Sequence, residues 1–362
     1  MTSMSIFYSF EEDFFGNYSN FNESNESSTF TPDPDTLKCG NEPLEPTAAI
    51  TLCLILIGIF LLAIPGNLLV GWVIRTSQQT LTPSDVYLFH LTIADGLMAL
   101  TLPFFAVEIT RGWIFGDFLC KFLKLVMKTN FYTSIIFLAC ISIDRYLVIV
   151  HARETLKSRQ RMCSKILCTA VWALGCALAL PALFNDVIKL ESNSKMMMCS
   201  ENFDIGSSTV WRLASQGFIH IFGFLVPAIV MISCYSITVA RLLLTRGFQK
   251  HRAMRVIITV VIAFLLCWTP YQITIIVDIL LRANVVQYNC DMRRSVNTAV
   301  VATHCLALLH SCINPFLYAF VGEKFRKKMK LLLHRKLRQE RMSGSRFSRS
   351  TSQTSEGIGT VL

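Results

Sequence analysis

AAITLCLILIGIFLLAIPGNLLVGWVI, residues Ala48 to Ile74, carries no charged side chain. At about 1.5 Å of rise per residue, a helix over this stretch crosses a hydrocarbon core of about 30 Å. Six further apolar runs follow: Val86 to Val107, Leu119 to Ile143, Ile166 to Phe184, Leu213 to Ala240, Val256 to Leu281 and Val296 to Phe320. The 362-residue chain is 52% hydrophobic and 16% charged, too apolar and too charge-poor for an ordinary soluble domain. The expected fold is an all-α membrane protein: a bundle of seven transmembrane helices with its termini on opposite sides.

Charge orients the bundle. Residues 1–46 hold Glu11, Glu12, Asp13, Glu23, Glu26, Asp33, Asp35, Glu42 and Glu45 against Lys38 alone. This segment lacks the basic start and apolar stretch of a cleavable signal, so the first span is expected to direct insertion. Basic residues gather on the opposite side: Arg153, Lys157, Arg159, Arg161 and Lys165; Arg241, Arg246, Lys250, Arg252 and Arg255; Lys324, Arg326, Lys327, Lys328 and Lys330. Positive charge marks the cytoplasmic face, so a multi-pass plasma-membrane protein with an extracellular N-terminus is expected. The net charge of +10 hides an acidic outside and a basic inside, and does not indicate nucleic-acid binding. Sequons at Asn17, Asn22 and Asn25 fall in the acidic tail, as glycosylation requires. The chain divides into an outer tail (1–46), the bundle (47–321), a short amphipathic helix (322–335) and a cytoplasmic tail (336–362).

Of the thirteen cysteines, Cys39, Cys120, Cys199 and Cys290 fall outside the membrane, an oxidising compartment in which four thiols permit three pairings. A Cys120–Cys199 bridge would pin the longest outer loop over the bundle, and Cys39 would then tie the tail to Cys290. None forms a Cys-x-x-Cys pair or has a histidine at ligand spacing, which argues against a metal site.

Within the spans, ionisable groups are costly and mark function. Ser142-Ile143-Asp144-Arg145-Tyr146 places a carboxylate and a guanidinium at the inner end of the third span, where they read as a switch. Asp95 lies mid-span, with Asn67, Ser134, Ser311 and Asn314 at similar depth. Such a cluster is either a pocket for a small cation or water, or a hydrogen-bonded structural knot. Prolines at Pro103, Pro181, Pro227, Pro270 and Pro315 each remove a backbone hydrogen bond and permit a kink. No carboxylate or histidine pairs with Asp95 at recognisable spacing, and Ser134 has no evident base, so no enzyme is expected. The halves do not repeat, which disfavours a transporter.

Taken in order, Gly66-Asn67, Leu91 with Asp95, Trp113 and Cys120, Asp144-Arg145-Tyr146, Trp172, Pro227 with Tyr235, Cys267-Trp268-Thr269-Pro270 and Asn314 to Tyr318 resemble a class A G-protein-coupled receptor across all seven spans. Thr101-Leu102-Pro103, the Asp144 to Ala152 run and His310-Ser311-Cys312-Ile313-Asn314-Pro315 resemble the CXC chemokine receptors. Trp113 to Gly116 and Gln249 to Ile257 are similar to the interleukin-8 receptor type.

The resemblance implies a receptor that binds a basic chemokine outside and activates an inhibitory-class G protein inside. Its alternatives are a scavenging chemokine receptor, against which the intact Asp144-Arg145-Tyr146 counts, or another class A peptide receptor. It implies first contact at Tyr8, Glu11, Glu12, Asp13 and Tyr18, with Tyr8 and Tyr18 as sulfation candidates, and deeper contact at Arg212, Asp278 and His304. Ligand would shift Trp268 and the kinks at Pro270 and Pro315, releasing Arg145 from Asp144 towards Tyr235 and Tyr318. No cofactor is expected beyond an allosteric sodium ion at Asp95, Ser134, Ser311 and Asn314. The amphipathic segment suits anionic lipid, and Ser343, Ser345, Ser348, Ser350, Thr351, Ser352, Thr354 and Ser355 suit receptor kinases and arrestin. Thr360-Val361-Leu362 fits a PDZ domain. The outer pocket departs from the family pattern: His304 replaces a glutamate, Met127 a lysine, Lys128 an acidic residue and Phe105 a tryptophan, while Lys38 replaces a proline before Cys39. These changes make it less acidic than is usual.

Overall fold

The computed structural model describes residues 44–76, 82–150, 157–189, 196–201, 214, 217–243, 248–282, 289–321, 326–327, 329–331 and 334. It has seven helical segments long and apolar enough to cross a membrane. These are built from α1 (Pro46–Arg75), α2 (Pro83–Arg111), α3 (Gly116–Val150), α4 (Lys157–Ala179), α5 (Val226–Leu243), α6 (Phe248–Arg282), α7 (Cys290–Leu308) and α8 (His310–Val321). A π-helical turn, Ile221–Leu225, precedes α5, and α7 and α8 together form the seventh span.

Local chemistry sets several boundaries. α2 starts at a reciprocal cap in which Thr82 Oγ1 accepts from Asp85 N and Asp85 Oδ2 accepts from Thr82 N, with Pro83 in the first turn. It ends at Gly112, whose φ of 79° favours glycine. The seventh span begins at Cys290, earlier than the apolar run from Val296 indicates. Asn289 caps it, its Oδ1 accepting from Met292 N at 2.8 Å, and the first turns carry Arg293 and Arg294, which a hydropathy reading rejects. Pro181 does not kink a helix: α4 stops at Ala179 and the proline lies in a 3₁₀ turn, Leu180–Phe184. Pro103, Pro270 and Pro315 lie inside helices, as does Pro65.

The outer loop after α4 is a β-hairpin. β1 (Asn185–Lys189) pairs antiparallel with β2 (Met197–Glu201), with Val187 opposite Cys199. A Cys120–Cys199 disulfide, the expected bridge, fastens it to the outer end of α3. Trp113 N also donates to Met197 O at 2.7 Å, and Val187 N to Asp117 Oδ1 at 3.0 Å. Cys290 is disulfide-bonded, and Cys39 lies outside the described residues.

α3 runs through the core, buried at positions from Cys120 to Ser142. α1 instead turns many leucines outward, Leu54 and Leu68 among them, as a lipid-facing helix does. Helices in lipid gain little from apolar burial against one another, so close packing at small residues replaces it. A Cβ on Gly66 would stand 2.9 Å from Pro315 Cβ and 3.1 Å from its Cγ. Neither rigid group can yield. Gly66→Ala is therefore expected to pry α1 from α8 and cost about 1–3 kcal/mol, seen as a lower Tm of the detergent-purified protein. An unchanged Tm would mean that this contact does not hold the helices together.

Candidate functional site

A ladder of polar and aromatic groups descends through the bundle. At the top, the His304 ring stacks 4.9 Å from Tyr271, which lies 5.9 Å from Trp268. Trp268, nearly buried, packs 4.2 Å from Phe131 and 6.0 Å from Phe264. Its Nε1–H points at His310 Nδ1, 3.2 Å away. Across the same imidazole, Nε2 stands 3.4 Å from Asp95 Oδ1.

Asp95 is fully buried. Asn314 Nδ2 donates to its Oδ2 at 2.7 Å, and Ser134 Oγ to its Oδ1 at 3.2 Å. These bonds offset the cost of burying a carboxylate. Ser311 does not reach it: its hydroxyl donates to Leu308 O at 2.8 Å, while its carbonyl accepts from Asn67 Nδ2 at the same distance. The cluster thus links α1, α2, α3, α7 and α8. Buried Asn67 Oδ1, Asn314 Oδ1 and both polar atoms of Asn130 have no hydrogen-bond partner among the described residues, so the region has capacity for water.

Below this cluster, Tyr318 is buried within electrostatic reach of Asp95 and Tyr235, and Tyr235 lies within reach of Arg145. Arg145 Nη2 donates to Asp144 Oδ2 at 2.8 Å. Ser84, at the start of α2, closes the pair: its Oγ donates to Asp144 Oδ2 at 2.6 Å and accepts from Arg145 Nε at 3.0 Å. Of the residues expected to form a switch, Asp144 and Arg145 are thus bridged from a neighbouring helix. α3 continues past them to Val150.

The outer pocket is a set of cross-braced charges. Lys124 Nζ lies 3.8 Å from Glu108 Oε2 and 4.6 Å above the Phe105 ring, so the residue standing in for tryptophan seats a cation. Glu108 Oε1 also accepts from Cys199 N at 3.0 Å, tying the pocket wall to the hairpin. Arg293 Nη2 reaches to 4.0 Å from Asp278 Oδ1, joining α6 to α7. Met127 is buried. Tyr8, Glu11, Glu12, Asp13, Asn17, Tyr18, Asn22, Asn25, Arg212, most of 322–335 and the Thr360-Val361-Leu362 terminus lie outside the described residues.

Sequence reading passed over Ser84, Glu108, Tyr271 and His310 as functional residues. Only His310 had a signal: an ionisable group in an apolar span, directly before Ser311.

A seven-helix bundle whose buried polar ladder ends on a braced Arg–Asp pair is the architecture of a receptor, and the chain's relatives say which kind. Residues 66–318 match the 7 transmembrane receptor (rhodopsin family), and the chain belongs to that family. Within it the chain is a C-X-C chemokine receptor, not an enzyme. It is 44% identical over 293 residues to C-X-C chemokine receptor type 2 of Homo sapiens, covering 81% of this chain and 80% of the relative. It is 43% identical over 321 residues to the type 2 receptor of Oryctolagus cuniculus, covering 88% and 87%. Against C-X-C chemokine receptor type 1 of Homo sapiens it is 45% identical over 270 residues, covering 74% and 76%. The spans and these relatives make it a multi-pass plasma-membrane protein.

Proposed function

We propose that this receptor captures a basic CXC chemokine on its extracellular acidic tail, admits the ligand's end to the pocket at Asp278, His304 and Arg212, and activates an inhibitory-class G protein. The observation that carries this reading is the chain of contacts from His304 through Tyr271, Trp268 and His310 to Asp95, with Tyr318 and Tyr235 buried in the same bundle and Arg145 paired to Asp144. Opposite charge speeds the first encounter and makes it salt-sensitive. Ligand bound more tightly to a rearranged state shifts the population toward it. In that state Arg145 leaves Asp144 and Ser84, turns to Tyr235 and Tyr318, and opens the inner face to the G protein. Calcium mobilisation and chemotaxis follow. Termination falls to receptor kinases and arrestin on the Ser343 to Ser355 cluster, with Thr360-Val361-Leu362 offered to a PDZ protein and 322–335 laid on anionic lipid. Sulfated Tyr8 and Tyr18 and glycans at Asn17, Asn22 and Asn25 complete the outer tail.

Calcium flux in cells exposed to a panel of CXC chemokines, with and without blockade of inhibitory G proteins, tests this reading. A response to at least one chemokine that the blockade removes is expected; uptake of chemokine with no flux would overturn it in favour of a scavenger.

The Ser84 brace makes a separate prediction. Ser84→Ala removes the three bonds that hold the Arg145–Asp144 pair from α2, one to Asp144 Oδ2 and one each from Arg145 Nε and Nη2. Basal nucleotide exchange on the G protein should rise by about tenfold, the equivalent of about 1.4 kcal/mol, since bonds to charged groups at this partly wet site are each worth well under their buried value. Basal exchange equal to or below wild type would show that the brace does not restrain the switch.

A further inference from the structure

Two cations on the outer half of α3 are paired in different ways. Lys121 Nζ sits 2.8 Å from Asp186 Oδ1, a closed ion pair. Lys124 Nζ stands 3.8 Å from Glu108 Oε2, and neither atom makes a hydrogen bond among the described residues. An ammonium has three N–H donors and a carboxylate oxygen has lone pairs to offer, so this second pair is open at both ends. Its side chains are largely withdrawn from solvent, Lys124 21% and Glu108 14% exposed. Each is also held from behind: the Phe105 ring centroid lies 4.6 Å from Lys124 Nζ, and Glu108 Oε1 accepts from Cys199 N at 3.0 Å. His304 is within electrostatic reach of Lys124, so the pair borders the pocket proposed to admit the ligand.

A polypeptide that enters a pocket by its N-terminus brings an ammonium, and an ammonium seeks a carboxylate. Both carboxylates of the outer pocket already face cations: Glu108 faces Lys124, and Asp278 faces Arg293. Asp278 and Arg293 each make further contacts, so Glu108 is the group with an oxygen still open. An ammonium that takes it leaves Lys124 without its anion in a largely desolvated corner, and a stranded charge there is costly. The loss is avoided if the same ligand brings a carboxylate of its own. Lys128, at the i+4 position one turn deeper on α3, adds a second cation on that side and favours an anion further.

We infer that this pair reads a zwitterionic ligand end: the N-terminal ammonium takes Glu108 Oε2, and a carboxylate close behind it in the ligand chain takes Lys124 Nζ. Each ion of the receptor exchanges one partner for another and none is stranded. Lys124 is then a specificity-determining residue that rejects an N-terminus lacking an acidic side chain. The inference rests on the proposed entry of a chemokine end into the pocket and adds the chemistry that end must carry.

Thermal unfolding of the detergent-purified full-length receptor tests this with synthetic tetrapeptide amides at millimolar concentration and constant ionic strength. The peptides are Ala-Glu-Ala-Ala and Ala-Gln-Ala-Ala, both with free N-termini, and N-acetylated Ala-Glu-Ala-Ala. Wild type should show a saturable rise in Tm of about 2 °C with the first peptide alone. In Lys124→Gln no cation is left to strand, so the two peptides with free N-termini should raise Tm equally; Lys124→Arg should keep the wild-type preference. Loss of packing alone would weaken both peptides together rather than erase the difference between them. If Lys124→Gln does not fold, Lys124→Met replaces it, and the wild-type comparison decides by itself whether an acid is required. Equal shifts from the Glu and Gln peptides in wild type overturn the inference. So do a preference that survives in Lys124→Gln and a flat response of wild type to every peptide. No chemokine and no G protein enters the measurement, so a receptor that fails the calcium test can still pass this one.

Discussion

Arg145→Ala is expected to abolish chemokine-stimulated nucleotide exchange on the G protein while chemokine binding persists. The guanidinium is the one cation at the foot of the ladder bonded to both Asp144 and Ser84. It lies at the opposite end of α3 from the disulfide at Cys120, so its removal leaves the outer pocket untouched. Alanine cannot bridge to Tyr235 or Tyr318 in the open state, and the stabilisation that couples the two faces, typically about 1–3 kcal/mol, has no carrier. Exchange measured on membranes against labelled chemokine binding on the same membranes separates the two effects. Undiminished exchange would mean that Arg145 is not the output element.

Cys199→Ser should be almost as damaging, at the other face. The disulfide is the covalent tie between the hairpin and the outer end of α3, and loss of a native disulfide typically costs about 2–5 kcal/mol. The remaining bonds, Trp113 N to Met197 O and Cys199 N to Glu108 Oε1, hold the strand only while it stays paired. Once the hairpin drifts, Glu108 loses a partner and Lys124 its anchor. Surface expression should fall, and the receptor that reaches the surface should lose chemokine binding. Binding at wild-type affinity by Cys199→Ser would show that the hairpin takes no part in shaping the pocket.

The bundle was legible in the sequence because a span leaves a signature no soluble helix needs, a long window without charge. Asp144, Arg145 and Asp95 were legible because charge is anomalous there. What escaped notice was ordinary in composition. Ser84 is one hydroxyl among many, and only the approach of α2 to α3 turns it into a brace. The hairpin spans Asn185 to Glu201 with no obvious strand alternation, and its position comes from a disulfide between residues 79 apart. The outer turns of the seventh span were missed because their arginines resemble loop. The π turn at Ile221–Leu225 was invisible for a different reason: Pro227 marks a disturbed helix without saying that Val226 N–H bonds to Ile221 O, one residue further back than an α-helix allows.

The fastening of the hairpin has a mechanical consequence. One disulfide, the ion pairs Lys124–Glu108 and Lys121–Asp186, and hydrogen bonds from the hairpin backbone to Trp113, Asp117 and Glu108 weld β1, β2 and the outer ends of α2 and α3 into a single block. A device that converts a push into a rotation needs a stator, and this corner is built as one. On the opposite wall α6 and α7 are joined by an ion pair of 4.0 Å, Arg293 to Asp278, by the Thr274–Thr303 hydroxyl bond at 2.8 Å and by the Tyr271–His304 ring contact, and the sixth and seventh spans each carry a proline. The outer block is the fixed frame against which any displacement of that wall is measured.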